Sequence, residues 1–222
     1  MTAEKIKESY DILEKYSETF FDEERHEKVM KIFERFQDRM VTAPASYKKE
    51  YHNAFAGGWI DHTVGVIKNA VRLYKVWKDQ DAVDGFTPSE VVFSAMFHDW
   101  GGLGDLDNDR YIPQKSKWHR DRGMLYEFNP KLKDYMTVPI RSLFILQHHK
   151  VDMTDNEMMG IMLSDGMFED INKAYFNHLK TNLPLIIHHA DHMTTQVEKS
   201  RQIKKDKGLE KGFSNIFNSK EK

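Results

Sequence analysis

The sequence predicts an all-α domain. Three observations carry that reading. Apolar residues recur at spacings of three and four over most of the chain, polar capping patterns precede several of these stretches, and no stretch alternates as a strand would. The 222 residues can bury one sizeable core.

Within the first forty residues, Ile6, Tyr10 and Leu13, and then Val29, Phe33, Phe36 and Met40, define two amphipathic helices. Pro44 and the polar residues around Ser46 end them, so residues 1–43 read as an N-terminal helical extension packed on a core domain of residues 44–198. Gly57-Gly58 marks a turn, and from Ile60 the stripe Val64, Ile67, Val71 and Tyr74 predicts a largely buried helix with His62 in its first turn. Thr87-Pro88-Ser89-Glu90 supplies a capping threonine, a proline at the first helical position and a glutamate three residues after the cap. The helix that follows is the apolar run Val91 to Phe97, which ends in His98-Asp99.

Residues 101–118 are glycine-rich and then charged, and read as a loop beside that end. Pro139 opens a further helical run that closes on His148-His149, and Thr154 to Glu157 repeats the capping pattern before Met158 and Ile161. Pro184 opens the last strong helix, with Ile186, Ala190, Met193 and Val197 on its apolar face and Asp191 on the other. Beyond Glu198 the lysine-rich segment 199–222 reads as a mobile tail.

Charge and composition narrow the chemistry. A formal net charge of −2, with acids and bases interleaved, supplies no field for a long polyanion or an anionic membrane; a small or short anionic substrate fits better. The absence of cysteine removes disulfides and thiolate ligands. A charged N-terminus without a membrane-length apolar stretch gives the expectation of a soluble, cytoplasmic protein. Oligomeric state is left open.

His62, His98-Asp99, His119, His148-His149 and Asp191 each stand near a helix end. An imidazole beside a carboxylate at the end of a buried element is costly without a partner, and a divalent ion suits both. Helices around a common core can bring such residues to one metal site. Each residue alone has an ordinary structural role; the ordered set is what points to metal chemistry.

That ordered set resembles the HD-domain superfamily of metal-dependent phosphohydrolases. The residues that carry the resemblance are Tyr51 to His62 around the first histidine, Ser94 to Asp99 around the HD pair, Ile145 to His149 around the paired histidines, and Ile187 to Asp191 around the last aspartate. The branches it is most similar to are the HD-domain 3′→5′ exoribonucleases and the nucleotidases. The resemblance implies an HD-type helical bundle with one or two divalent ions between helices, manganese or iron favoured over zinc, nickel, cobalt and magnesium. His62, His98, Asp99 and Asp191 would hold the first ion. Asp99 would bridge to a second held by His119 and by His148 or His149, and Asp99 and His98 would be the catalytic pair. Relatives often place a lysine or another polar residue three positions after the HD aspartate, where this chain has Gly102. Its phosphate clamp would then come from residues such as Arg110, Lys115, Lys117, Arg120, Arg122 or Lys150.

The implied activity is hydrolysis of a phosphomonoester or phosphodiester of a nucleotide, cyclic nucleotide or short oligonucleotide. One alternative is a 3′→5′ exonuclease using Trp59, Trp100, Tyr111 and Trp118 to stack single-stranded nucleic acid. The others are a helical regulator that binds metal or ligand without turnover, and an iron-dependent oxygenase.

Overall fold

The computed structural model describes residues 1–132 and 135–208. It is mostly helical. Helices α1 (Ala3–Phe20) and α2 (Glu23–Thr42) each begin on a side-chain cap, Thr2 and Asp22, that accepts from a backbone N–H three residues on. Helix α3 (Gly58–Lys78) carries the predicted buried stripe, and α4 (Pro88–Phe97) starts on a complete capping box between Thr87 and Glu90. Four helices follow, α5 (Lys117–Asp121), α6 (Val138–His148), α7 (Asp155–Met162) and α8 (Asn172–Phe176), and α9 (Leu183–Asp206) closes the described chain.

The all-α expectation agrees with the structure, which adds one short ribbon. Tyr111–Pro113 (β1) and Tyr126–Phe128 (β2) form an antiparallel ribbon with Tyr111 opposite Phe128. Three residues per strand are too few for alternation to register in sequence. The rings of Tyr47, Tyr111 and Phe128 cluster against it, with centroids 5.2–6.3 Å apart.

Leu13, Val29, Ile32, Phe33, Phe36 and Met40 of the first two helices share one core with Trp59, Ile67, Phe93, Phe97, Leu146 and Ile186. Helix α3 packs against both α9 and α4, which brings the faces of three helices around one point. Trp100 lies at the middle of the core, fully buried, with ring centroids 5.1–5.7 Å from Phe33, Phe36, Trp59 and Phe97. The residue after the His98-Asp99 pair thus ties the end of α4 to α2 and α3. Trp59 and Trp100 are completely buried, so neither can stack a nucleic-acid base.

The expectation of a tail beginning at residue 199 also changes. Helix α9 continues through Asp206, with Gln202 Nε2–H donating to Asp206 Oδ1 one turn on. Residues 209–222 of that segment lie outside the described residues. Among the described residues no helix is long and apolar enough to cross a membrane.

Candidate metal centre

The end of α4 is held from three sides. Trp59 Nε1–H donates to the Asp99 carbonyl at 2.8 Å, Trp100 Nε1–H donates to the Met96 carbonyl at 2.8 Å, and the Gly101 N–H donates to Ser142 Oγ on α6 at 2.8 Å. Helix α4 has stopped here, and its side chains stand at a fixed place on a rigid frame.

His98 is buried, and its Nδ1–H donates to the Ala95 carbonyl at 2.8 Å. That bond fixes the tautomer and leaves the lone pair on Nε2. Nε2 is itself buried and has no hydrogen-bond partner. A buried, unpartnered imidazole nitrogen is costly unless something accepts it. A bound cation would.

His98 is grouped with His62 and Asp191. Ligand atoms of these three residues all lie within 4.8 Å of one another, and the rings of His62 and His98 are 5.6 Å apart. His62 Nε2 is 3.1 Å from Asp191 Oδ1, and on the other side of the ring His62 Nδ1 is 3.1 Å from Glu198 Oε2. A carboxylate on the far nitrogen of a ligating histidine is the usual orienting partner in metal sites. Asp191 and Glu198 are seven residues apart on α9, two helical turns, and so grip one ring from the same face. The donor set, two imidazoles and one carboxylate, suits a divalent transition ion; Asp99, expected from sequence as the bridging ligand, stands outside this group, though its carboxylate feels the charges of His62 and Asp191.

The electrostatics follow from this crowding. Burial opposes a charge on His62, but the Glu198 and Asp191 carboxylates outweigh it and hold its pKa well above the ordinary value of 6.5. Desolvation also opposes a charge on the partly exposed Asp191, yet its bond to His62 takes it down to about 2. Burial, helped by the neighbouring His62, pushes His52 down to about 3; its ring is 4.9 Å from that of His62. Burial likewise lowers His98. Asp99 is pushed up to about 7 by burial, against the opposing pull of His62 and Arg110.

Gly102 has a physical role here. A Cβ at that position would stand 2.9 Å from Asp99 Oδ1 and 3.0 Å from Oδ2. The glycine leaves the space that the Asp99 carboxylate fills.

Asp191 and Asp165 line a cleft of about 600 Å³, together with Arg110, Lys199, Phe168 and His192 among others. Asp165 is pushed up to about 6 by burial and by the charges of Asp191 and Asp99. Asp165 and Glu198 are not among the site residues expected from the sequence. Glu198 had a signal, the seven-residue interval from Asp191; Asp165 follows α7 in a turn and had none.

His119, His148 and His149 stand outside these groups. Thr137 and Val138, at the start of α6, border the cleft, but His148 is ten residues farther on, about 15 Å along the helix axis. Burial, then the neighbouring His148 and Arg35 of α2, lower the pKa of His149. His119 is on α5, its ring 4.8 Å from that of the exposed Trp118. Arg120 donates Nη1–H to the Gln114 and Lys115 carbonyls at 2.7 and 2.6 Å, and Arg122 lies 3.6 Å over the Trp118 ring. Lys150, with left-handed backbone at φ 55°, borders a separate groove with Gln147 and Asp152. Of the basic residues considered from sequence, Arg110 is the one that reaches the cleft.

Searches of family models, curated proteins and solved structures found no match to this chain.

Proposed function

We propose that this protein is a metal-dependent phosphohydrolase of HD type that cleaves a phosphomonoester or phosphodiester. The observation that carries the reading is the grouping of His62, His98 and Asp191 with ligand atoms within 4.8 Å of one another, where the Nδ1 bond of His98 leaves its buried Nε2 without a partner. His62, His98, Asp99 and Asp191 would hold the ion, with Glu198 orienting His62. When bound, a divalent ion supplies Lewis acidity toward a phosphoryl oxygen and lowers the pKa of a coordinated water.

The chain's own groups support the remaining chemistry. Arg110 and Lys199 bring positive charge into the cleft, where non-bridging phosphate oxygens require it. Attack of water on phosphorus breaks the bond to the leaving oxygen, which must gain a proton. Asp165 lines the cleft and would be placed to protonate that oxygen. The His98-Asp99 turn, anchored by Trp59 and Ser142, keeps the donor set from collapsing.

The His62–Asp191–Glu198 contacts favour a second reading, a charge network that fixes α3 to α9 in a non-catalytic regulator. The test is hydrolysis of p-nitrophenyl phosphate, bis-p-nitrophenyl phosphate and a panel of nucleotides and cyclic nucleotides with Mn²⁺, for the wild type and Asp99→Ala. The hydrolase reading expects multiple turnovers with at least one ester, lost in a variant whose helical circular dichroism is unchanged. Bound metal with no turnover across the panel selects the regulator.

A further inference from the structure

Phe168 ends the short turn Gly166–Phe168 and is 74 % exposed at the edge of the cleft. An aromatic ring so open to water forfeits the burial that normally retains it. The turn beneath it is nonetheless firmly built. Gly166 has φ 59° and approaches His188 so closely that a Cβ would lie 2.2 Å from the ring. Asn172 Nδ2–H donates to the Gly166 carbonyl at 2.9 Å, and the His188 ring bonds through Nδ1 to the Ser164 carbonyl at 3.1 Å.

This construction presses Phe168 against α9. Its ring stacks on His192 with centroids 5.5 Å apart and planes inclined by 28°, and meets His188 edge-on at 5.7 Å and 68°. Asp191, a member of the metal group, is the residue before His192. Arg110 and Lys199 line the same cleft. An aromatic ring stacked on α9 at the cleft wall, with cationic groups on the same lining, matches a ligand that is planar and apolar at one end and anionic at the other.

We propose that Phe168, backed by His192, is a stacking subsite for a planar ring carried by the phosphoester, a nucleobase or an aryl group. The proposal rests on the phosphohydrolase reading for the anionic end of the ligand. Stacking a base on an aromatic side chain is sequence-tolerant, so the subsite selects for a planar ring rather than for one base.

The test compares adenosine 5′-monophosphate with ribose 5-phosphate, which keeps the phosphate and sugar but lacks the ring. Isothermal titration of the full chain with Mg²⁺ present is expected to show adenosine monophosphate binding about tenfold tighter than ribose 5-phosphate. Phe168→Ala is expected to abolish that preference while leaving the ribose 5-phosphate affinity unchanged, and Phe168→Trp to keep it. Equal affinities in the wild type, no binding of adenosine monophosphate, or a preference that survives Phe168→Ala would overturn the proposal. The two readings fail separately: an intact binding preference without turnover of any ester rejects the hydrolase alone, and turnover with equal affinities rejects the subsite alone.

Discussion

Glu198 stands 136 residues from His62 in sequence, and its Oε2 is 3.1 Å from Nδ1 of that ring. The contact fixes which nitrogen of His62 faces His98 and Asp191. Glu198→Gln keeps the shape and removes the charge. It is expected to weaken divalent-metal binding about 10–100-fold, the range for lost orienting carboxylates, with the fold retained. Competition with a metallochromic chelator measures it, and an unchanged affinity would mean that the contact is structural only.

Gly102→Ala tests the space around Asp99. The added methyl would press on both carboxylate oxygens at 2.9–3.0 Å, so the carboxylate must move. Metal-dependent turnover should fall at least tenfold, and the melting temperature should change far less than for a core cavity. Wild-type turnover in this variant would show that Asp99 has freedom the packing denies it.

The pH dependence of the metal-free protein has a defined sign. A group whose pKa is raised by folding contributes stability that is lost as pH rises toward its folded value. Asp99, raised from 3.8 to about 7, and His62, raised well above 6.5, both belong to this class. His52 and His98, lowered from 6.5, act in the opposite sense, but only below that pH, since above it they are neutral in both states. From pH 6.5 upward the first pair therefore dominates this centre, and chelator-treated protein should melt at lower temperature at pH 8 than at pH 6.5. Saturating metal should reverse the trend, because binding requires deprotonated His62 and ionised Asp99. Calorimetric scans across this range give the answer; a melting temperature that rises with pH in the chelator would contradict the assignment.

Away from the centre, Arg25 Nη1 reaches Glu157 Oε1 at 2.6 Å, and the Glu157 side chain is completely buried. The guanidinium also lies over Phe93 at 4.7 Å. Arg25→Ala leaves a buried carboxylate without its cation, at a cost on the order of 3 kcal/mol. For a chain of this size that is a loss of about 6–12 °C in melting temperature. Metal affinity should be untouched.

The long helices were legible because their apolar spacing and caps were strong. The capping boxes at Thr87 and Thr154 are formed as the sequence implies. Helices α5 and α8, five residues each, and the three-residue strands are too short to leave a periodic trace. His62, His98 and Asp191 were legible as chemistry on helix ends, and the fold places them together. Glu198 stands where the apolar periodicity fades, so its approach to His62 shows only in the folded α9, which runs eight residues farther. The pattern of histidines could not show that α6 carries His148 away from the cleft, since distance along a helix axis has no signature in spacing alone.

The most direct test of the metal centre is Mn²⁺ binding followed by the electron paramagnetic resonance signal of the free ion. Metal-free wild-type protein is titrated beside His98→Ala, which removes the unpartnered nitrogen. The account predicts saturable binding in the wild type, weakened at least a hundredfold in His98→Ala while the helical fold persists. No binding by the wild type, or equal binding by both proteins, would mean that His62, His98 and Asp191 form a buried polar network and not a metal centre.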